Sequence, residues 1–202
     1  AAEVWLANYL GHFQLTSLLL PLLSDGARIC SVSSGAHTRA TIDFGSVLRP
    51  VGTPVYGQSK LAQIMHSKAL QRRLDARSTD TSGANTTHGH GANIIATAVT
   101  PGFVRTSIIS KAVPGWVRAF IALLYPVYCF LGRSPAIGAQ VVLHALLSED
   151  VQGGEYFSNC QAKPAQGRDG IANDVQAQER LWKLSEQMVR DGTNLESHGK
   201  MD

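Results

Sequence analysis

The segment Asn93-Ile94-Ile95-Ala96-Thr97-Ala98-Val99 carries the strongest strand signal in this chain. It is a near-continuous apolar run, which is typical of a parallel strand buried on both faces. Thr100-Pro101-Gly102 ends it, and a shorter run from Ala27 to Val32 has strand character upstream. A third short strand is predicted from Glu155 to Ser158. Helical periodicity fills the space between these runs, and strands that alternate with helices indicate a parallel α/β sheet.

Four segments carry the apolar spacing of helices. Their expected bounds are 2–20, about 54–73, 135–147 and about 174–190, and the third has Ser134 as N-cap and Pro135 at its first position. Residues 77–91 form a polar Gly/Thr/His-rich loop, and 191–202 a polar tail that we expect to be disordered. No repeat or domain boundary interrupts the chain, so 1–202 is predicted to be one unit.

Composition excludes several classes of function. The 202 residues are 44% apolar and 16% charged with a net charge of +3, and no basic run alternates with aromatic residues, which argues against a nucleic-acid partner. Three cysteines lie far apart, which argues against a disulfide framework or a zinc site. His88-x-His90 has the spacing of a metal pair, but it stands in a Gly/Thr loop, so no metal site is expected.

Tyr56-Gly57-Gln58-Ser59-Lys60 opens the second predicted helix. Residues four apart share a helix face, so the phenol and the ammonium lie on the same side. A nearby fixed positive charge favours the ionised form of a phenol, which gives Tyr56 a route to acid/base chemistry. Taken alone, this spacing more often reflects a packed tyrosine beside a solvated lysine.

Polar residues gather where ligands bind in sheets of this kind, at the carboxyl ends of the strands. Ser33-Ser34 ends the first strand, and Pro101-Gly102-Phe103-Val104-Arg105-Thr106 follows the second. Tyr56 opens the helix that is reached from the first strand. We therefore expect all three features at one edge of the sheet.

These motifs in this order, with Asn8 ahead of them, resemble the short-chain dehydrogenase/reductase family. The segments Gly-His-Phe-Gln-Leu-Thr, Val-Ser-Ser-Gly-Ala-His and Gln-Ser-Lys-Leu-Ala-Gln-Ile-Met are similar to its retinol dehydrogenase-like branch. The resemblance runs from about residue 3 to about 190 and implies a doubly wound, Rossmann-like parallel sheet with helices on both faces. The family's Thr-Gly-x-x-x-Gly-x-Gly loop is absent, so we expect the C-terminal catalytic portion of such a fold, with the N-terminal strands missing.

The resemblance implies a role for each motif. Tyr56 would be the general acid/base, and Lys60 would favour its phenolate and hold the nicotinamide ribose. Ser34 would hydrogen-bond the substrate oxygen, and Ser33 is the alternative residue for this role. Asn8 would hold a water in a proton relay. The nicotinamide carboxamide would be held after the second strand by Pro101, Gly102, Val104 and Thr106. The alternatives are a turn serine at 34, a helix-surface amide at 8 and a helix cap at 106.

Residues 119–131 are apolar apart from the interruption at Pro126, and they are too few for the ~20 that a spanning helix needs. In the resembling family this region covers the substrate, so Trp116, Phe120 and Leu124 would line an apolar pocket. A buried core helix and a segment dipping into a membrane surface remain alternatives.

The function that we expect is interconversion of an alcohol and a carbonyl on a retinoid, steroid or lipid aldehyde, with NADP (or NAD). A truncated, non-catalytic chain that acts as a binding or regulatory partner is the alternative. No signal or transmembrane segment is seen, which favours the cytoplasm or a face of the endoplasmic reticulum membrane. Without the glycine-rich loop, we expect weak NAD(P) binding. The open strand at 27–32 would favour aggregation unless the helices at 2–20 and 54–73 form a homodimer.

Overall fold

The computed structural model describes residues 2–81, 93–104 and 133–198. A continuous helical rod opens the chain, with α1 (Ala2–Trp5), a π turn (Leu6–Leu10), α2 (Gly11–Leu19) and a 3-10 turn (Leu20–Leu22). The remaining elements, in chain order, are β1 (Arg28–Val32), a 3-10 turn (Gly35–Arg39), α3 (Val55–Thr81), β2 (Ile95–Thr100), α4 (Pro135–Leu147), β3 (Tyr156–Ser158), β4 (Gln161–Lys163), a 3-10 turn (Arg168–Asn173) and α5 (Val175–His198).

The described strands form one sheet in the order β1-β2-β3-β4. β1 pairs parallel with β2, with Cys30 opposite Thr97, and β2 pairs parallel with β3, with Ala98 opposite Tyr156. Only β4 is antiparallel, joined to β3 by a tight turn at Asn159 and Cys160 with positive φ. The predicted α/β class and the three predicted strands are therefore confirmed.

Helices cover both faces of the sheet, as in a Rossmann-like fold. On one face α3 lies against β2, and the rod and α5 pack against α3 in turn. The α3 residues Leu61, Ile64 and Met65 are fully buried there and form one hydrophobic cluster with Trp5 of the rod. On the other face α4 packs on β1 and β2, where Val141 meets Val99 and Phe157. β2 is buried beyond its first residue because both its edges and both its faces are occupied.

Two helices extend further than their predicted bounds. α3 continues past Arg73 to Thr81, because Leu74 joins a second core cluster with Leu70 and Ile94. α5 is helical as far as His198, so the tail expected over 191–202 is helical in its first part. Adding residues to an existing helix costs little compared with starting one. In the described ranges, none of the helices has the length and apolar character that crossing a bilayer requires.

Candidate active site

The carboxyl ends of β1 and β2 lie side by side and define the edge of the sheet where the predicted motifs meet. The ladder between them continues one step beyond β1, where Ser33 N donates to Val99 O at 2.7 Å. Lys60 reaches this edge from α3, and its Nζ donates to the carbonyl oxygen of Val32 at 3.0 Å. The last residue of β1 is thus tied directly to the helix that carries Tyr56.

Tyr56 and Lys60 lie together on the first turn of α3, as their spacing predicts. Lys60 Nζ is 5.9 Å from the centre of the Tyr56 ring. Tyr56 is 46% exposed, so its ring is accessible from the carboxyl edge. Lys60 is half-buried, and this burial lowers the pKa of its ammonium. The pair therefore combines an accessible phenol with a partly desolvated cation.

The two serines after β1 have different surroundings. Ser33 is only 4% exposed, and its hydroxyl donates to the carbonyl oxygen of Lys60 at 2.7 Å. Ser34 caps the following 3-10 turn, where its Oγ accepts from Ala36 N at 3.3 Å. A hydroxyl carries one donor and two acceptor lone pairs, so this cap leaves the Ser34 proton free to donate elsewhere. The Ser33 hydroxyl already donates its proton to the backbone of α3.

A close backbone approach sets the start of α3 against the Ser34 segment. A Cβ built on Gly57 would lie 3.0 Å from the carbonyl oxygen of Ala36, so a larger residue here would push the two segments apart by a few tenths of an ångström. Below it, the His37 ring is buried and its Nδ1 bonds the carbonyl oxygen of Ser34 at 2.7 Å. Burial lowers the pKa of His37, which favours a neutral packing role.

The loop between the 3-10 turn and α3 is held by a buried amide that the sequence did not reveal. Gln58 is fully buried, its Oε1 accepts from Asp43 N at 2.7 Å, and its Nε2 donates to Val47 O at 2.9 Å. The Asp43 carboxylate in turn accepts from the backbone N–H of Val51 at 2.9 Å, which lowers the pKa of this carboxyl. The only available signal was Asp43 ahead of Gly45-Ser46, a pattern typical of a side-chain-capped turn.

The C-terminal part of the chain clamps both ends of the same loop. Arg168 donates through its guanidinium to the carbonyl oxygen of Gly52 at 2.9 Å and to that of Arg39 at 3.4 Å. Its backbone N–H also donates to Ala40 O at 2.6 Å. The loop that leads into Tyr56 is therefore fixed from inside by Gln58 and from outside by Arg168.

Asn8 lies in the π turn of the rod. The turn is closed by Gly11 N–H on the carbonyl oxygen of Leu6, and π turns inside helices often mark functional positions. The Asn8 carbonyl oxygen accepts from Gln63 Nε2 at 2.5 Å, and Gln63 lies one helical turn beyond Lys60. The rod and α3 are thus joined at the level of the site through the Asn8 backbone.

The segment after β2 also reaches this edge. Gly102, which follows Pro101, has φ of 81°, and a Cβ there would lie 3.2 Å from Arg133 Nε. Val104 forms a bridge with Arg133 and fills the space above Gly138 of α4. Four further predicted site residues lie outside the described ranges: Thr106, Trp116, Phe120 and Leu124.

Comparison with curated proteins gives relatives along nearly the whole chain. Bovine Dehydrogenase/reductase SDR family member 13 is 31% identical over 204 residues, which cover 96% of this chain and 48% of that protein. Mouse Retinol dehydrogenase 12 is 32% identical over 185 residues, covering 88% of this chain and 51% of that protein. This chain belongs to the short-chain dehydrogenase/reductase family. It spans about half the length of the curated relatives it matches.

Two further comparisons complete this result. No family model matches the chain. Among solved structures, the crystal structure of an uncharacterized protein from Mycobacterium Paratuberculosis is similar, with a TM-score of 0.58 and 29% identity. The match covers 91% of this chain and 57% of that one, so the two chains share a fold over most of this chain.

Short-chain dehydrogenases generally use NAD(P), and the described residues fit one end of such a cofactor. Lys60 has three N–H donors and donates one to Val32 O, so two remain for the hydroxyl groups of a ribose. The pyrophosphate end has no counterpart, because the 202 residues contain no glycine-rich loop at the start of a helix. Among the described residues, Lys60 thus offers donors that suit a ribose.

Proposed function

We propose that this chain is the catalytic portion of an NAD(P)-dependent oxidoreductase that interconverts an alcohol and a carbonyl on an apolar substrate. One observation carries the proposal: the accessible Tyr56 lies beside the partly desolvated Lys60 at the carboxyl edge of the sheet. A cation so placed favours a phenolate, and a phenolate next to an open edge can act as a base.

Each group then has one task. In the oxidation direction, Tyr56 oxygen takes the hydroxyl proton of the substrate, and the electron pair of that O–H bond forms the C=O bond. When bound, NAD(P) would supply the acceptor for the hydride of the same carbon, and Lys60 would hold its ribose. Ser34 donates its free O–H to the substrate oxygen and holds it near Tyr56. In the reduction direction, Tyr56 returns the proton.

Lys60 works through position and charge. Its bond to Val32 O fixes the ammonium at the strand end. From there the remaining N–H donors would hold the nicotinamide ribose, and the charge would favour the Tyr56 phenolate. Pro101, Gly102, Val104 and Thr106 are proposed for the carboxamide, and Asn8 for the proton relay.

Apolar surface beside the site and the names of the relatives support the proposed substrate class. Phe103 and Val51 are exposed on segments that adjoin the carboxyl edge. Mouse Polyprenol dehydrogenase, 34% identical over 191 residues, joins the retinol dehydrogenases as a relative whose name specifies an apolar alcohol. We propose a retinoid, steroid or lipid aldehyde and its alcohol, with NADP in preference to NAD. Trp116, Phe120 and Leu124 would line the pocket.

The test uses a fusion protein in which residues 2–202 follow the part of mouse Retinol dehydrogenase 12 that precedes its matched region. We expect NADPH-dependent reduction of retinal, and we expect Tyr56→Phe to abolish it while cofactor binding is kept. Ser17→Ala, on the exposed side of the rod, is the control. Undiminished turnover in Tyr56→Phe would remove the mechanism.

The alternative is a chain that keeps the fold but serves as a binding or regulatory partner. It predicts no turnover in the fusion protein even when NADPH binds. Homodimerisation and contact with a membrane surface remain predictions, as does the compartment. For the homodimer, α5 already packs over part of the proposed face, where Trp182 contacts Phe13 and His66.

A further inference from the structure

The carbonyl oxygen of Ser34 accepts two hydrogen bonds from one residue. The backbone N–H of His37 donates to it at 3.1 Å, and Nδ1 of the same ring bonds it at 2.7 Å. A carbonyl oxygen can only accept, so Nδ1 carries the proton of the neutral ring. A carbonyl oxygen also has two lone pairs, and His37 occupies both. The peptide plane that follows Ser34 is therefore fixed by His37.

The His37 ring also ties this turn to the centre of the sheet. The residue is 2% exposed, and its ring packs edge-on against Tyr156 of β3, with 4.9 Å between the ring centres. Tyr156 belongs in turn to the core cluster of Leu61 and Ala98. A backbone bond from residue i+3 is enough to close a 3-10 turn. The ring bond is therefore a further constraint, one that the turn itself does not require.

The turn that His37 holds connects the Ser34 hydroxyl to the start of α3. Ala36 makes both contacts. Its N–H donates to Ser34 Oγ at 3.3 Å, and its carbonyl oxygen lies where a Cβ on Gly57 would come within 3.0 Å. Gly57 is the residue after Tyr56. A shift of this turn would therefore move the Ser34 hydroxyl relative to the Tyr56 phenol.

We propose that His37 is a positioning residue, whose ring N–H aligns the Ser34 hydroxyl with Tyr56 through the Ser34 carbonyl oxygen. This inference rests on the proposed function, because it explains how Ser34 is held for the task given to it there. His37 acts through Ser34 and not on the substrate itself. Alignment matters because a misplacement of about 1 Å at a reacting group can lower a rate by about 100-fold.

Two substitutions separate the donor of His37 from its ring. His37→Phe keeps an aromatic ring against Tyr156 and removes the N–H, whereas His37→Asn keeps an N–H as many bonds from the backbone as Nδ1 and removes the ring. In the fusion protein, kcat for retinal reduction should fall about tenfold or more in His37→Phe and stay within about threefold of the parent in His37→Asn.

The melting temperatures should follow the opposite order. His37→Phe should melt near the parent, because the backbone bond to Ser34 O remains, and His37→Asn should melt lowest, because its contact with Tyr156 is lost. His144→Phe is the matched control, since His144 packs edge-on against Phe157 of the same strand at 5.3 Å and should leave kcat unchanged. If kcat followed the melting temperature, with His37→Asn the slowest variant, His37 would only pack and the proposal would be wrong.

Amide hydrogen exchange tests the same geometry without turnover. In the 202-residue chain, the Ala36 amide reports on its bond to Ser34 Oγ. It should exchange about fivefold or more faster in His37→Phe than in the parent or in His37→Asn. Equal exchange in His37→Phe and the parent would overturn the proposal even where the fusion protein is active. A parent fusion protein without turnover that shows the expected exchange pattern would refute the proposed function and support the hold of His37 on Ser34.

Discussion

The ammonium of Lys60 donates to the carbonyl oxygen of Val32 at 3.0 Å, which links the first turn of α3 to the last residue of β1. This bond decides where the cation lies, because the lysine stem is flexible and the strand end is not. It also places the cation at the open edge of β1. The proposed proton chemistry therefore depends on a contact between a helix and the end of a strand.

Replacement of Lys60 should show that activity needs both the positive charge and the compact shape of its ammonium. In the fusion protein, both Lys60→Met and Lys60→Arg should lower kcat/KM for retinal reduction by about 100-fold or more, because a planar guanidinium cannot reproduce a compact ammonium on Val32 O. Lys68→Met is the matched control, since Lys68 is also a half-buried lysine of α3. Steady-state kinetics with NADPH measure both, and an active Lys60→Met would contradict the assignment.

The two neighbouring serines should respond differently to alanine. Ser34→Ala removes a free donor together with an exposed cap on Ala36 N that water can replace, so turnover should fall while stability falls less than in Ser33→Ala. Ser33→Ala removes a buried bond to Lys60 O and should cost about 1–3 kcal/mol in the free energy of unfolding. Urea denaturation of the 202-residue chain and kinetics of the fusion protein distinguish the two. The reverse pattern would assign the substrate contact to Ser33.

Gln58 should contribute to stability rather than to catalysis, although it lies between Tyr56 and Lys60 in the sequence. Gln58→Met leaves the buried groups at Asp43 N and Val47 O without partners, which should cost about 2–3 kcal/mol of unfolding free energy. Gln161→Met on the exposed β4 is the control and should be nearly neutral. Thermal and urea unfolding measure both variants, and equal stabilities would contradict the role of Gln58 in holding the loop.

The sequence predicts those parts of the fold that local pattern controls. β2 is recognisable because its apolar run reflects burial on both faces, and α4 because Ser134 and Pro135 mark its start. β4 is not, because Gln161-Ala162-Lys163 is exposed and carries no apolar signal. Within the site, the spacing of Tyr56 and Lys60 is a local property. The burial of Gln58 arises from tertiary packing, so no pattern in the sequence could show it.

Cofactor affinity should show whether the 202-residue chain can hold the pyrophosphate of the cofactor. Isothermal titration of NADPH into the 202-residue chain should give at most weak binding, because no glycine-rich loop holds the pyrophosphate. The fusion protein should bind at least tenfold more tightly. Tight binding by the 202-residue chain alone would show that the pyrophosphate has another partner.

His66 should make the stability of the chain sensitive to mild acid. Its ring is buried against Phe13 and Trp182, and burial together with the nearby Arg73 charge lowers its pKa to about 4. A base whose pKa is lower in the folded state binds its proton more weakly there than in the unfolded chain. Its contribution to stability is therefore complete above the unfolded pKa of about 6.5 and is lost as the pH falls towards 4.

The size of this effect follows from the same shift. When the pH falls from about 7 to 4.5, protonation of His66 should lower the free energy of unfolding by about 2 kcal/mol. His66→Phe keeps an aromatic ring of similar size without a titrating group, so its stability should fall less over this interval. His12→Phe is the matched control, because His12 is an exposed histidine on the helical rod. Urea denaturation at both pH values measures the three proteins. If His66→Phe lost as much stability in acid as the parent chain, another buried group would have to account for the acid sensitivity.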